Sequence, residues 1–400
     1  MQVNTMQYHV AISKEANVEK AVEALQESTA RSFGEKTPDL AFLFFSSVFS
    51  EEAHALHAFV REKIAPQYLV GCMNHGVIGD TEEFEEQPAI ILWSAVLPDV
   101  TMTPIRLTAY ERDGRLALKG WPQDFHTHTQ RPYFFLFADP FTTPIDEVFA
   151  SINHDSPGSL AIGGIASGGT DSGENRLVLN QDVFDSGVVG VAVSGRIEVR
   201  TVVSQGCQPI GEPYVVTKSD RNIIYELGGL SMLDRLKSTI QGVRDTSQHV
   251  AQSIQVGLVM NEYRGKFERG DFLIRDLMGA DEKSGGVAIS DIVHEGQTLQ
   301  FHLRDGNAAD EELRTLLEKD HRTHPDRPAQ GALLFSCNCR GTRLFSEPHH
   351  DITLLRDHIG NVPIAGFFAG GEIGPVGGKN YLHGYTASVA LFSDPSTASL

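Results

Sequence analysis

Val70-Gly71-Cys72-Met73-Asn74-His75-Gly76-Val77-Ile78-Gly79 and Ala365-Gly366-Phe367-Phe368-Ala369-Gly370-Gly371-Glu372-Ile373-Gly374 are one element written twice, 295 positions apart (Val70 to Ala365). Gly71, Gly76, Ile78 and Gly79 fall on Gly366, Gly371, Ile373 and Gly374. Each is preceded by a similar apolar run, Ala41-Phe42-Leu43-Phe44-Phe45-Ser46 and Ala332-Leu333-Leu334-Phe335-Ser336-Cys337, at an offset of 291 (Ala41 to Ala332). A middle copy follows the first by 92 positions, with Phe134-Phe135-Leu136-Phe137, then Ile162-Gly163 (Gly71 to Gly163), Gly168 and a closing run Gly187 to Val193. Short runs rich in Phe, Val and Ile read as strands covered on both faces. Between the first two runs of copy one, Ser50 can cap a helix whose Leu56, Phe59, Val60, Lys63 and Ile64 recur at helical spacing. The repeated unit is therefore strand, helix, strand, glycine turn, strand. Three copies so widely spaced are not a solenoid, whose units run about 20–50 residues. The expected fold is α/β (α+β): two related lobes of mixed β-sheets flanked by helices, produced by internal duplication.

Outside the copies, Leu230 to Ile254 has a long helical pattern with a capping-box spacing at Ser231 and Asp234. Strands are expected over 254–260, 271–276, 287–292 and 298–303, and a second helix over 309–319. Pro209 to Lys218, with two prolines and Gly211, reads as a domain boundary. The expected division is an N-terminal strand and helix (1–36), a first domain (37–216) and a second (217–394).

Four hundred residues with 41% hydrophobic content can build real cores. The longest unbroken apolar runs, Leu40 to Phe45 and Tyr133 to Ala138, are six residues long, whereas a span needs about 20. No membrane partner is expected. Met1 to Met6 has no basic region leading into an apolar one, so no secretory signal is expected. Four cysteines do not make a disulfide framework, and the reducing cytoplasm is the expected location. A net charge of −19, from 33 basic and 52 acidic residues, argues against nucleic acid as a partner.

The chemistry gathers near the third copy. An amino-acid zwitterion needs a fork for its carboxylate and an acceptor for its ammonium; Arg340 and Glu372, each closing a glycine turn, can supply both. They read equally as an ion pair tying two strand ends together. Cys337, at a strand end beside Arg340, reads as a pocket-lining thiol, as an inert core residue, or as a nucleophile or redox sensor. His383 and Thr386 sit on a turn where the last strand begins and can donate to or accept from a ligand. Cys337-x-Cys339 is a poor metal motif, its thiols expected on opposite faces. His349-His350-Asp351 reads as a helix start after Pro348, and His126-Thr127-His128 is weaker still as a metal cluster. Gly163 to Thr170 can form an anion nest but lacks a Walker lysine and dinucleotide spacing; a tight turn explains it as well. No cofactor is expected. An enzymatic alternative is a thiol-dependent hydrolase or transferase, with Cys337 as nucleophile, His383 as base and Glu372 as orienter.

These residues together resemble a FIST protein, the sensory module named for F-box and intracellular signal transduction proteins. The N-terminal half is similar through Phe42 to Ser46, Val70-Gly71-Cys72, Gly76 to Gly79 and Leu92-Trp93. The C-terminal half is similar through Gly270 to Arg275, Leu303-Arg304-Asp305, Cys337 with Arg340-Gly341, Gly366-Phe367, Gly371 to Pro375 and Leu382 to Thr386. The resemblance spans residues 37–394 and departs at Cys72 to His75, where the family's turn is smaller. It implies a stand-alone sensory domain for small ligands, with amino acids as typical ligands and no reaction. Such a sensor would act through a separate signalling partner.

Overall fold

In the computed structural model, which describes residues 5–112, 114–122, 131–242 and 253–395, the chain forms two compact units of mixed α/β structure. The first unit holds residues 1–203 and 314–400, and the second holds 204–313. All three copies of the repeat lie in the first unit, and the second is inserted within the third copy.

Copy one is β1 (Gln7–Ser13), α1 (Val18–Phe33), β2 (Leu40–Ser46), α2 (Ala53–Lys63), β3 (Tyr68–Asn74), the hairpin β4 (Val77–Gly79) and β5 (Glu82–Phe84), and β6 (Ile90–Val96). Copy two is β7 (Val100–Arg112), β8 (Arg115–Lys119), β9 (Tyr133–Ala138), α3 (Ile145–Asp155), β10 (Leu160–Ile165), the hairpin β11 (Leu177–Leu179) and β12 (Asp182–Phe184), and β13 (Val188–Gly195). Copy three opens with β14 (Glu198–Ser204). The insert follows: β15 (Cys207–Asp220), β16 (Ile223–Leu227), β17 (Leu230–Ser231), α4 (Met232–Gly242), β18 (Ile254–Val259), β19 (Phe272–Arg275), β20 (Leu277–Asp281), β21 (Gly286–Ile289) and β22 (Thr298–Arg304). After α5 (Gly306–Thr323), copy three resumes as β23 (Gly331–Cys337), α6 (His350–Ile359), β24 (Ile364–Ala369), the hairpin β25 (Glu372–Val376) and β26 (Lys379–His383), and β27 (Ala387–Ser393).

The three copies exchange their hairpins in a ring. The sheets run β1-β6-β2-β3-β11-β12, β14-β27-β23-β24-β4-β5, and β8-β7-β13-β9-β10-β25-β26. The hairpin of copy one therefore extends the sheet of copy three, that of copy three the sheet of copy two, and that of copy two the sheet of copy one. In each copy the helix crosses between parallel strands, β2 to β3, β9 to β10 and β23 to β24. The repeated glycine has one cause in all three. Gly71, Gly163 and Gly366 lie opposite Leu43, Leu136 and Leu334, and a Cβ on any of them would overlap that leucine's carbonyl oxygen.

Alternation along the first strand of each copy builds two cores. Phe42 and Phe44 of β2 turn to the centre of the unit, while Leu43 and Phe45 meet α1 and α2. At the centre the equivalent Phe44, Phe137 and Phe335 touch one another pairwise, with ring centroids 5.3, 5.9 and 6.2 Å apart. That triangle marks the pseudo-threefold axis.

Several local expectations shift. Ser50 closes a short 3₁₀ turn, and α2 begins at Ala53 with no side-chain cap. The long pattern from Leu230 is β17 followed by α4, with the Ser231 hydroxyl accepting the Asp234 N–H at 3.3 Å; residues 243–252 of that pattern lie outside the described residues, as do His126-Thr127-His128. Pro209 to Lys218 is strand. Pro213 is tolerated because it falls in the break between Ile210 and Tyr214 in the ladder to β22, whereas Pro209 stands in the ladder opposite His302.

Candidate functional site

Symmetry makes one place in the unit conspicuous. The offsets that align the glycines also align the buried helix positions: Leu56 of α2 matches Val148 of α3 and Asp351 of α6, all with almost no exposure. On the first strands, Phe45 and Ala138 match Ser336. On the hairpins, register equates Val77 and Leu177 with Glu372, and Val183 and Leu382 with Glu83. Positions that two copies fill with apolar side chains thus carry Asp351, Ser336 and Glu83 around β23 and α6, and Glu372 on the hairpin of copy three. Buried charge is no route to stability, because apolar residues of similar volume commonly hold a core as well or better. Departures of this kind gather where a protein does chemistry or binds.

The centre of the cluster is Arg340, fully buried on the turn after β23. Its Nε and Nη2 donate to Asp351 Oδ2 and Oδ1 at 2.7 and 2.8 Å, a bidentate pair. The Ser336 hydroxyl donates to Asp351 Oδ2 at 2.7 Å. Burial alone would raise the Asp351 carboxyl, but the Arg340 guanidinium and these hydrogen bonds hold it well below the usual carboxylate range. Glu83 Oε1 accepts the Ile352 N–H at 3.0 Å in the first turn of α6, and burial next to Asp351 pushes Glu83 up to about 8. His350 stacks on Phe345 with centroids 3.5 Å apart.

The five residues singled out in the sequence do come together. Cys337 N–H donates to Thr386 O at 3.0 Å, Thr386 N–H donates to Glu372 Oε2 at 3.0 Å, and Arg340 Nη1 reaches Tyr385 O at 3.4 Å. Glu372 and His383 face each other across the hairpin, where His383 Nε2 donates to Gly374 O at 3.0 Å. All five are buried. Burial pushes the Glu372 carboxyl up to about 8, so near neutral pH it is largely protonated, and its buried Oε1 has no hydrogen-bond partner among the described residues. A hydrogen bond to Cys339 and burial push that thiol far above its ordinary value. Such a thiol is a poor nucleophile, and His383 spends Nε2 on a backbone carbonyl. Arg340 makes its bidentate pair with Asp351, and its charge also acts on Glu372. Asp351 was passed over in the sequence as part of a histidine pair at a helix start, and Glu83 lies on another copy's hairpin. Comparing the three copies column by column exposes both.

Above this layer a cavity of about 50 Å³ opens, lined by His75, Glu85, Glu86, Asn338, Thr342, Arg343 and Phe368. It lies where β3, β23 and β24 end, the edge at which open α/β sheets bind ligands. Glu85 braces one wall, accepting from Thr342 N–H and Oγ1 at 2.9 and 2.8 Å. Arg343 Nη1 donates to Asn338 O at 3.1 Å, and the buried Asn338 Oδ1 has no hydrogen-bond partner among the described residues. One water needs roughly 10–15 Å³ of such space, so the cavity suits a ligand of a few heavy atoms.

The anion nest at Gly163 to Thr170 is already filled. Glu174 Oε2 accepts the N–H groups of Thr170 and Asp171 at 2.8 and 3.0 Å and the Thr170 hydroxyl at 3.0 Å. Cys339 lies in the turn beyond β23, not on the strand; opposite faces would not follow even on a strand, where residues two apart share a face. No group of three or more His, Cys, Asp or Glu side chains that could hold a metal, and no helix long and apolar enough to cross a membrane, occurs among the described residues. The second unit has a wider cleft of about 490 Å³ beside β15 and α4, with Glu212 as its one charged lining residue among the described residues.

Comparison with known proteins matches residues 39–230 to the FIST N domain and 233–375 to the FIST C domain. An uncharacterized protein of Mycobacterium tuberculosis (strain ATCC 25618 / H37Rv) is 39% identical over 391 residues, covering 97% of this chain and 100% of the relative. One of Mycobacterium bovis (strain ATCC BAA-935 / AF2122/97) is 40% identical over 375 residues, covering 94% of this chain and 95% of the relative.

Proposed function

The chain belongs to the FIST family, whose domains are associated with sensory function in signal transduction, and from that premise we propose that it is a sensor for amino acids or related small carboxylates. The ligand occupies the cavity at the ends of β3, β23 and β24. Arg343 takes the carboxylate, while Glu86 accepts from the ammonium. Cys337, Arg340, Glu372, His383 and Thr386 form the layer beneath and hold the 338–343 turn in its binding shape. The observation that carries this reading is the conversion of one of three equivalent core positions into a buried Arg340–Asp351 pair directly under that turn. Binding favours one arrangement of the turn and so shifts its population. The signal then passes to a separate protein partner in the cytoplasm.

A thermal-shift panel of the common amino acids and small carboxylates tests the reading. A true ligand at about 100 times its Kd adds about 2.7 kcal/mol of stability. Stabilisation by amino acids that is lost in Arg343→Ala supports the site. A panel with no stabilising member, or a shift indifferent to Arg343→Ala, rejects it.

A further inference from the structure

The geometry points to the Cys337–Cys339 pair as a reversible dithiol–disulfide site, oxidised by a peroxide, on the wall of the cavity at Asn338. Cys337-Asn338-Cys339-Arg340 is a tight turn closed by the Arg340 N–H donating to Cys337 O at 2.8 Å. Its first thiol is buried and its third is partly exposed, and the two are hydrogen-bonded to each other. The tight turn thus holds the thiol that a peroxide can reach beside the one that can resolve the product. Asn338, whose Oδ1 has no partner and whose side chain lines the cavity, lies between them. Closing an S–S bond across the turn must re-aim Asn338, because disulfide geometry is specific.

The reaction balances with a hydroperoxide as oxidant. The Cys339 thiolate attacks one peroxide oxygen, an S–O bond forms, the O–O bond breaks, and the departing oxygen leaves as water or alcohol after taking a proton. The Cys337 sulfur then attacks Cys339 Sγ. An S–S bond forms, the S–O bond breaks, and the hydroxide leaves as water with the proton from Cys337. Two thiols and one peroxide become a disulfide and two hydroxylic products. The raised thiol at Cys337 slows its attack, and its place on the same tight turn as Cys339 offsets this through proximity. Cys72 and Cys207 are both buried, and burial raises both thiols, so neither competes for the oxidant.

Mass spectrometry of the full chain tests the assignment. After hydrogen peroxide, alkylation without reductant and trypsin, the peptide Thr323–Arg340 holds both cysteines. It should lose the mass of two hydrogen atoms, escape alkylation, and recover both thiols with dithiothreitol. Cys339→Ser should abolish that loss, and Cys337→Ser should leave Cys339 to gain two oxygen atoms as a sulfinic acid. A wild-type peptide that stays alkylatable on both cysteines, or that accumulates sulfinic acid with no disulfide, overturns the proposal. The effect on the cavity rests on the ligand reading above, and a second measurement separates the two. Amino-acid stabilisation present in the reduced form should fall in the oxidised form. An unchanged shift overturns the coupling, whereas no shift in the reduced form counts against the ligand reading and leaves the mass result to judge the disulfide.

Discussion

Replacing Asp351 by leucine, the residue that copy one carries at Leu56, separates a functional charge from a structural one. In Asp351→Leu the Arg340 guanidinium, with no exposure, keeps its charge and loses its bidentate partner. Stranding a buried ion in this way costs about 3–5 kcal/mol. The Ser336 hydroxyl loses its acceptor as well, adding about 1 kcal/mol. The total is a large share of the 5–15 kcal/mol that typically holds a native protein together. Arg340→Met should be costly too, since it leaves the Asp351 carboxylate buried without its cation. The double variant Arg340→Met/Asp351→Leu should recover most of the loss, because an apolar pair of similar volume replaces both charges. Denaturant unfolding followed by the fluorescence of buried Trp93 gives the three stabilities, and the double-mutant cycle gives the coupling. A coupling energy of several kcal/mol, with the double variant near wild type, fits charges kept for binding. A double variant as unstable as the two single losses added together would refute the reasoning, since the pair would then be part of what the fold needs.

Glu372 should make the protein less stable as pH rises. Its folded pKa is raised to about 8 by burial, so its contribution is fully present below the ordinary carboxyl value of 4.5 and is lost as pH climbs through about 8. Glu372→Gln, which mimics the protonated form, should melt higher than wild type above that pH and flatten the alkaline fall; a parallel fall in both proteins contradicts the assignment. Gly366→Ala should be destabilising by well over the roughly 1 kcal/mol typical of a point change, because its Cβ meets the Leu334 carbonyl rather than a side chain that can move. A neutral effect on melting would dispose of the close-approach argument. Phe137→Ala removes one side of the axial triangle and should cost about 3–5 kcal/mol by chemical denaturation; a loss below 1 kcal/mol would mean the axis is not a packed core.

Much of this fold is readable in the sequence because the repeat is local. Gly71, Gly163 and Gly366 recur for one backbone reason, and apolar runs such as Phe42 to Phe45 announce strands covered on both sides. The hairpin exchange is not readable. Val77 pairs with Phe367, and a partnership across that sequence distance leaves no periodicity behind. The insertion of the second unit within copy three is hidden likewise, since β14 and β23 belong to one sheet but are separated by a whole folded unit. Cys337, Arg340, Glu372, His383 and Thr386 stand out in the sequence at glycine-flanked strand ends, and the fold brings them together. Their partners do not stand out: Asp351 sits in an ordinary helix start, and Glu83 arrives on copy one's hairpin. The expectation of opposite faces for Cys337 and Cys339 fails on periodicity, because strand residues two apart share a face. A buried polar residue where equivalent copies hold Leu, Val or Phe is the sequence signal that recovers Asp351 and Ser336.

Hydrogen–deuterium exchange, with and without a saturating amino acid identified from the thermal-shift panel, tests the central claim most directly. Binding in the cavity should slow exchange in peptides covering the 337–344 turn and the 74–76 strand end, while the second unit's residues 207–242 stay unchanged. Protection confined to the second unit, or none at the 337–344 turn under saturating ligand, would contradict the placement of the sensor site.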